Sequence, residues 1–217
     1  MNSLFENESG NLKIKVCGMR DEQNIADVIS LSPDFMGLIF YPKSKRYVGD
    51  FPLSYLCKSY SPVKKVGVFV NESIESILEK YEAFHLDIVQ LHGNESVEYC
   101  QTLKDKGIPI VKAFGIAEPS DLEKCEAYAS VCDAFLFDTK SAGYGGAGVK
   151  FDWHILDSYK QEVPFLLSGG ISEDDVETIA ALHHPFLRGV DLNSCFELAP
   201  AFKDVDRLRR MIERIKK

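Results

Sequence analysis

KIKVCG (13–18), FMGLIF (35–40), KKVGVFVN (64–71) and LDIVQLHG (86–93) are short apolar runs with polar, ionisable or glycine residues gathered at their C-terminal ends. The pattern continues through IPIVKAFG (108–115), DAFLFDTK (133–140), VPFLLSGG (163–170) and RGVDLNS (188–194). Strand starts near 13, 35, 66, 87, 109, 134, 164 and 187 give an average step of about 25 residues, enough for a strand, a helix and two loops. The runs are continuous rather than alternating, as in parallel strands covered on both faces. An open doubly wound sheet shares such βα repeats, but eight units favour closure. The sequence therefore predicts an α/β protein, a single (β/α)8 TIM barrel over residues 1–217, with residues 1–12 as a polar N-terminal extension. Barrels carry their chemistry where the strands end, so the trailing residues are the candidates for function.

Between the runs, apolar stripes at helical spacing read as core. Ile74, Ile77, Leu78 and Tyr81 fall on one helix face, as do Val176, Ile179 and Leu182, preceded by a capping-box pair at Ser172 and Asp175. Val205, Leu208, Met211, Ile212 and Ile215 predict a closing helix whose final Ile-Lys-Lys suits the helix dipole.

At 217 residues and a net charge of −8, the chain lacks the basic excess that a nucleic-acid or anionic-membrane surface needs, though a local cationic pocket remains compatible with it. The polar start MNSLFENESGN has no apolar signal core, and no run approaches membrane-spanning length. Six cysteines (17, 57, 100, 125, 132 and 195) lack paired ligand spacing, which predicts mostly buried free thiols in a reducing compartment and no metal site. A cytoplasmic protein is expected, monomeric with a dimer left open, and with a small phosphorylated molecule as its partner.

Cys17, last in its strand and followed by Gly18, is either buried filler or a thiol at the pocket mouth that a nearby cation would help ionise. Asp138, after three apolar residues, would be costly to bury unless it faces a polar site, where desolvation would make it an acid. Lys140 reads equally as its salt-bridge partner. Gly143 to Gly148 matches GxGxxG formally, but it follows the sixth strand rather than the first, and a glycine lid at Gly145, Gly146 and Gly148 is the better reading. Ser168, Gly169 and Gly170 after strand seven, with Asn193 and Ser194 after strand eight, occupy the usual barrel position for a phosphate. Arg46, in the basic loop PKSKRY, is a candidate anion clamp or a solvated turn, and His92 a donor or a structural rim residue. His183 and His184 read as surface.

In order, KVCGMR, GLIFYPKSKRYV, VGVFVN, VQLHGNE, FDTK…GYGGAGVKFDW, LSGGIS and GVDLNS resemble the phosphoribosylanthranilate isomerase family over nearly the whole chain. The resemblance implies an Amadori rearrangement of N-(5-phosphoribosyl)anthranilate in tryptophan biosynthesis, with no cofactor and no metal. It implies Cys17 as general base and Asp138 as general acid, Arg46 and His92 at the anthranilate end, and Asp191 lining the site. Departures from the family pattern stand at Lys45, Ala147, Asn193 and Cys195; those in the lid at Ala147 and after strand eight at Asn193 and Cys195 bear on the phosphate geometry. A related sugar-phosphate isomerase and a non-catalytic barrel are the rival readings.

Overall fold

A computed structural model describes residues 11–49, 53–140 and 150–216. Eight strands close into one parallel barrel in sequence order: β1 (Lys13–Cys17), β2 (Phe35–Ile39), β3 (Lys64–Phe69), β4 (Ile88–Leu91), β5 (Ile110–Ile116), β6 (Ala134–Thr139), β7 (Phe165–Leu167) and β8 (Leu187–Leu192). The expected strands all form, within about two residues of their predicted starts. The alternative of an open sheet is excluded by the seam, where β8 pairs with β1 in the register Lys13↔Gly189 and Lys15↔Asp191. The extension expected at 1–12 falls largely outside the described residues; Leu12 already packs against the core.

Outside the ring lie α1 (Glu22–Ile29), α2 (Ile74–Ala83), α3 (Val97–Lys104), the single turn α4 (Ser120–Glu123), α5 (Val176–Ala181) and α6 (Val205–Ile215). Their starts are set by side chains that accept otherwise orphaned N–H groups: Asp21 from Asn24 N, Ser73 from Ser76 N, Ser96 from Tyr99 N and Asp204 from Arg207 N, each worth about 1 kcal/mol. The Ser172–Asp175 capping box forms as read, opening a 3₁₀ turn that leads into α5. Of the α2 stripe only Ile77 is fully buried, while Ile74, Leu78 and Tyr81 pack half-buried against the core. Leu182 falls one residue beyond α5, as its C-cap.

Two intervals depart from the simple repeat. Among the described residues, no helix forms between β2 and β3, and between β6 and β7 only the 3₁₀ stretch Trp153–Ser158 does. Aromatic packing covers the second gap: Tyr159 meets Phe137 at 5.2 Å and Phe165 at 5.3 Å. His184, expected on the surface, joins this cluster at 5.0 Å from Phe165; its imidazole is a flat, half-apolar body that fills an aromatic edge.

Alternation along each strand divides the core in two. One parity (Ile14, Val16, Met36, Leu38, Phe69, Val89, Phe135, Phe137) joins the large cluster beneath the helices. The other parity forms a separate inner plug of Phe35, Val66, Ile88, Val111, Ala113, Ala134, Leu136 and Leu166. One step further along the inner parity the residues turn polar: Cys17, Gln90, Asp138, Ser168 and Asp191. The plug is the floor of the site.

The seam admits no side chain at Gly189. A methyl group there would collide with the Lys13 carbonyl, with the carbonyl carbon at 2.9 Å, and a backbone obstacle cannot swing aside. Gly189→Ala should therefore lower stability by about 1–3 kcal/mol. The measurement is the urea midpoint, and an unshifted value would show that the seam yields freely.

Candidate active site

At the C-terminal ends of the strands a narrow cavity of about 70 Å³ is lined by Cys17, Arg46, Gln90, His92, Asp138, Ser168, Gly169, Gly170, Asp191, Asn193 and Ser194 among others. Every described residue singled out above for chemistry, Lys140 aside, thus meets in one place. The lid glycines Gly145, Gly146 and Gly148, with Ala147, lie outside the described residues. A broader groove of about 580 Å³ adjoins on the β4–β6 side and shares His92 and Asp138 with the cavity.

Cys17 ends β1 opposite Gly37 of β2, where a methyl group would stand 2.7 Å from its Sγ. The glycine makes the space the thiol occupies. Two residues back on the same face, Lys15 donates to Asp191 Oδ1 at 2.9 Å, both side chains almost fully buried. Lys15 is the cation anticipated near the thiol. Burial nonetheless dominates at Cys17 and pushes the thiol above its ordinary range, with Lys15 pulling the other way. Burial also opposes the Lys15 ammonium, but Asp191 and Cys17 outweigh it and hold its pKa above the usual lysine value.

Asp138 is the penultimate residue of β6 and is 8% exposed. Desolvation lifts its carboxyl to about 6, against the Thr139 N–H that donates to Oδ1 at 2.8 Å. The salt bridge considered between Lys140 and Asp138 does not form: Lys140 turns outward to Asp121, at 2.9 Å. Instead Asp138 Oδ2 faces His92 Nε2 at 3.6 Å. Burial, with Lys112 and then Lys15, presses the His92 pKa down to about 4, so the ring is neutral at physiological pH. The Gln90 amide Nε2 lies 3.2 Å from His92 Nδ1; that donor selects the tautomer with hydrogen on Nε2, directed toward Asp138.

Gly169 and Gly170 both have left-handed backbones (φ +93° and +64°). At Gly169 a methyl group would stand 2.9 Å from Asp138 Oδ1 and 2.7 Å from Thr139 N, so the loop after β7 lies directly against the Asp138 carboxyl. After β8, Asn193 leads into a 3₁₀ turn, Ser194–Phe196. Cys195, where a glycine was expected, is accommodated by pointing its Sγ at the Gly170 carbonyl, 3.5 Å away, which joins the two loops.

Part of the Arg46 fork is already engaged within the protein: Nε donates to Glu197 Oε1 at 2.8 Å and Nη2 to Glu197 Oε2 at 2.6 Å, while the residue still lines the cavity. Glu197 and Lys203 went unread because they follow the last barrel strand, in a segment without a strand or helix pattern. Lys15 was equally missed, although a lysine on the same strand face as Cys17 is a signal that alternation supplies.

The model of the N-(5'-phosphoribosyl)anthranilate isomerase family matches residues 14–214. The N-(5'-phosphoribosyl)anthranilate isomerase of Parabacteroides distasonis is 51% identical over 205 residues, which cover 93% of this chain and 92% of that one. Among solved structures, phosphoribosyl anthranilate isomerase from Thermotoga maritima superposes with a TM-score of 0.82 at 32% identity, covering 94% of this chain and 98% of that one. A structure of such an enzyme in complex with reduced 1-(o-carboxyphenylamino)-1-deoxyribulose 5-phosphate matches with a TM-score of 0.79 at 30% identity, over 94% and 98% of the two chains.

The neutral state assigned to His92 has a direct readout. In a histidine-selective NMR titration the His92 ring should hold its Nε2–H tautomer through pH 5 and protonate only near about 4. A midpoint at or above about 7 would mean that the ring carries charge at physiological pH.

Proposed function

We propose, from the premise that this chain belongs to the N-(5'-phosphoribosyl)anthranilate isomerase family and catalyses that rearrangement in tryptophan biosynthesis, that Cys17 is its general base and Asp138 its general acid. The observation that carries the assignment is that both side chains line one cavity, on strands separated by β7 and β8 around the ring. A substrate lying between them meets an acid from one side and a base from the other.

Asp138, protonated, donates to the furanose ring oxygen as the C1′–O bond breaks and the anthranilate nitrogen forms a Schiff base. Cys17, as thiolate, removes the proton from C2′; the resulting enolamine tautomerises to the ketone. The neutral His92, with Nε2–H toward Asp138 Oδ2, favours the carboxylate left after donation. His92 and Arg46 line the same cavity and are assigned together to the anthranilate end. The phosphate is assigned to the loops of Gly169, Gly170, Asn193 and Ser194, where left-handed glycines let backbone N–H groups approach an anion. Asp191 lines the same cavity and is held by Lys15.

Six free thiols support a reducing, cytoplasmic setting, and no helix among the described residues is long and apolar enough to cross a membrane. Large apolar side chains exposed among the described residues are limited to Leu53, Leu198 and Phe202, which favours a monomer. The alternative is a dimer, the state named for the Thermotoga maritima enzyme.

Cys17→Ala and Asp138→Asn should each lower turnover by about 10²–10⁴-fold with the circular dichroism unchanged. Near-normal rates in either variant would remove that residue from its role. The pH profile follows from the two shifts. The acid must be protonated, with a pKa of about 6, and the base ionised, with a pKa above the usual thiol range. Below about 6 the rate rises with pH as thiolate accumulates; above it, loss of the Asp138 proton cancels that gain until the thiol itself titrates. kcat/KM should therefore be level from about 6 to beyond the ordinary thiol range and fall above it. A maximum confined to one sharp pH would contradict this pairing of acid and base.

A further inference from the structure

Beyond β8 the chain makes a small antiparallel hairpin, β9 (Glu197–Ala199) and β10 (Phe202–Lys203), in which Lys203 and Glu197 are cross-strand partners. Their side chains do not reach solvent as hairpin charges usually do. Lys203 is wholly buried and Glu197 nearly so. Lys203 donates to Glu197 Oε1 at 2.7 Å and to Asn193 Oδ1 at 2.8 Å. Glu197 takes both remaining contacts of interest through the Arg46 fork, and its Oε1 also accepts from Ala201 N at 3.1 Å. The hairpin is pinned from behind by the buried Asn24 of α1, which donates to the Lys203 carbonyl at 3.0 Å and accepts from its N–H at 2.7 Å.

Two cations thus share one buried carboxylate, which leaves one net positive charge at the cavity wall. Burial would raise the Glu197 pKa, but Arg46 and Lys203 outweigh it and keep the carboxyl ionised. Without that charge, Arg46 and Lys203 would repel each other, and the long arginine stem would be free to leave. The stem passes over Gly18, where a methyl group would stand 2.7 Å from Arg46 Cδ and 3.1 Å from Asn193 Oδ1. Arg46, Asn193 and the residue after Cys17 therefore meet at one point. Of the five guanidinium donors Glu197 takes two, and the rest of a group that lines the cavity remains available to an anion.

We propose that Glu197 is a positioning residue for the isomerisation: it holds the Arg46 guanidinium at the cavity wall, while Lys203 ties the same carboxylate to the phosphate-side loop at Asn193. Lys203 keeps its own bond to Asn193 Oδ1 at 2.8 Å, so it anchors the carboxylate while the loop after β8 does not depend on Glu197. The proposal rests on the anthranilate-end role given to Arg46 above, and it predicts that Glu197 acts on substrate binding only through that arginine.

The test is a double-mutant cycle of Arg46→Ala, Glu197→Gln and their combination, read by the loss of substrate fluorescence at steady state. Glu197→Gln should raise KM by about tenfold and leave kcat within about twofold, and the double variant should be no worse than Arg46→Ala alone. Additive losses in the double variant, or an unchanged KM in Glu197→Gln beside a raised one in Arg46→Ala, would overturn the proposal. An unchanged KM in Arg46→Ala would instead remove the anthranilate-end role itself, and the proposal with it. If Glu197→Gln does not fold, Glu197→Asp keeps the charge for Lys203 but cannot span to Arg46, and carries the same expectation.

Discussion

The pair Lys15–Asp191, 2.9 Å apart and almost fully buried, joins the first strand to the last at the place where the barrel closes. Burying two charges removes their hydration, and such pairs seldom add net stability over an apolar replacement. What the pair does here is electrical. It puts a fixed cation under Cys17 and a fixed carboxylate across from Asp138, inside a cavity whose floor is an apolar plug. Charges around the mouth act on one another through little water, so burial first, and the neighbouring charges with it, set each group's protonation state.

Those neighbours separate the titrating groups. Asp138 is lifted to about 6 and His92 pressed to about 4 by the same desolvation, acting on groups of opposite charge type. One environment therefore yields a carboxyl that holds a proton more readily than usual and an imidazole that does not. Cys17 is lifted as well, so the reactive form, acid protonated and base ionised, is a minority of the free enzyme. A chain of net charge −8 nevertheless gathers Lys15, Arg46 and Lys203 around this cavity, pairs them with the carboxylates of Asp191 and Glu197, and keeps one positive charge in surplus whenever Asp138 holds its proton. The surplus suits a ligand with a phosphate at one end and a carboxylate at the other.

Glycine is used where the site is tightest. Gly37 makes the space for the Cys17 thiol, and Gly169 lets the loop after β7 lie against Asp138. In both cases a side chain would displace the proposed base or acid rather than merely destabilise the fold. The loop after β8 differs from the family pattern at Asn193 and Cys195, and both changes have partners: Lys203 for the asparagine, the Gly170 carbonyl for the cysteine.

The family resemblance added Asp191; the order of apolar runs with polar ends was enough to read the closed barrel, its eight strands and the face on which Cys17, Asp138 and His92 converge. Those features follow from alternation and spacing along one strand at a time, and spacing is local. Tertiary structure alone decided the partners: that Lys140 goes to Asp121 rather than Asp138, that the Arg46 fork closes on Glu197, and that His184 joins an aromatic cluster. Each of these depends on which side chains distant in sequence arrive at the same few ångströms. An ion pair is chosen by distance and desolvation in three dimensions, and no periodicity along the chain encodes it.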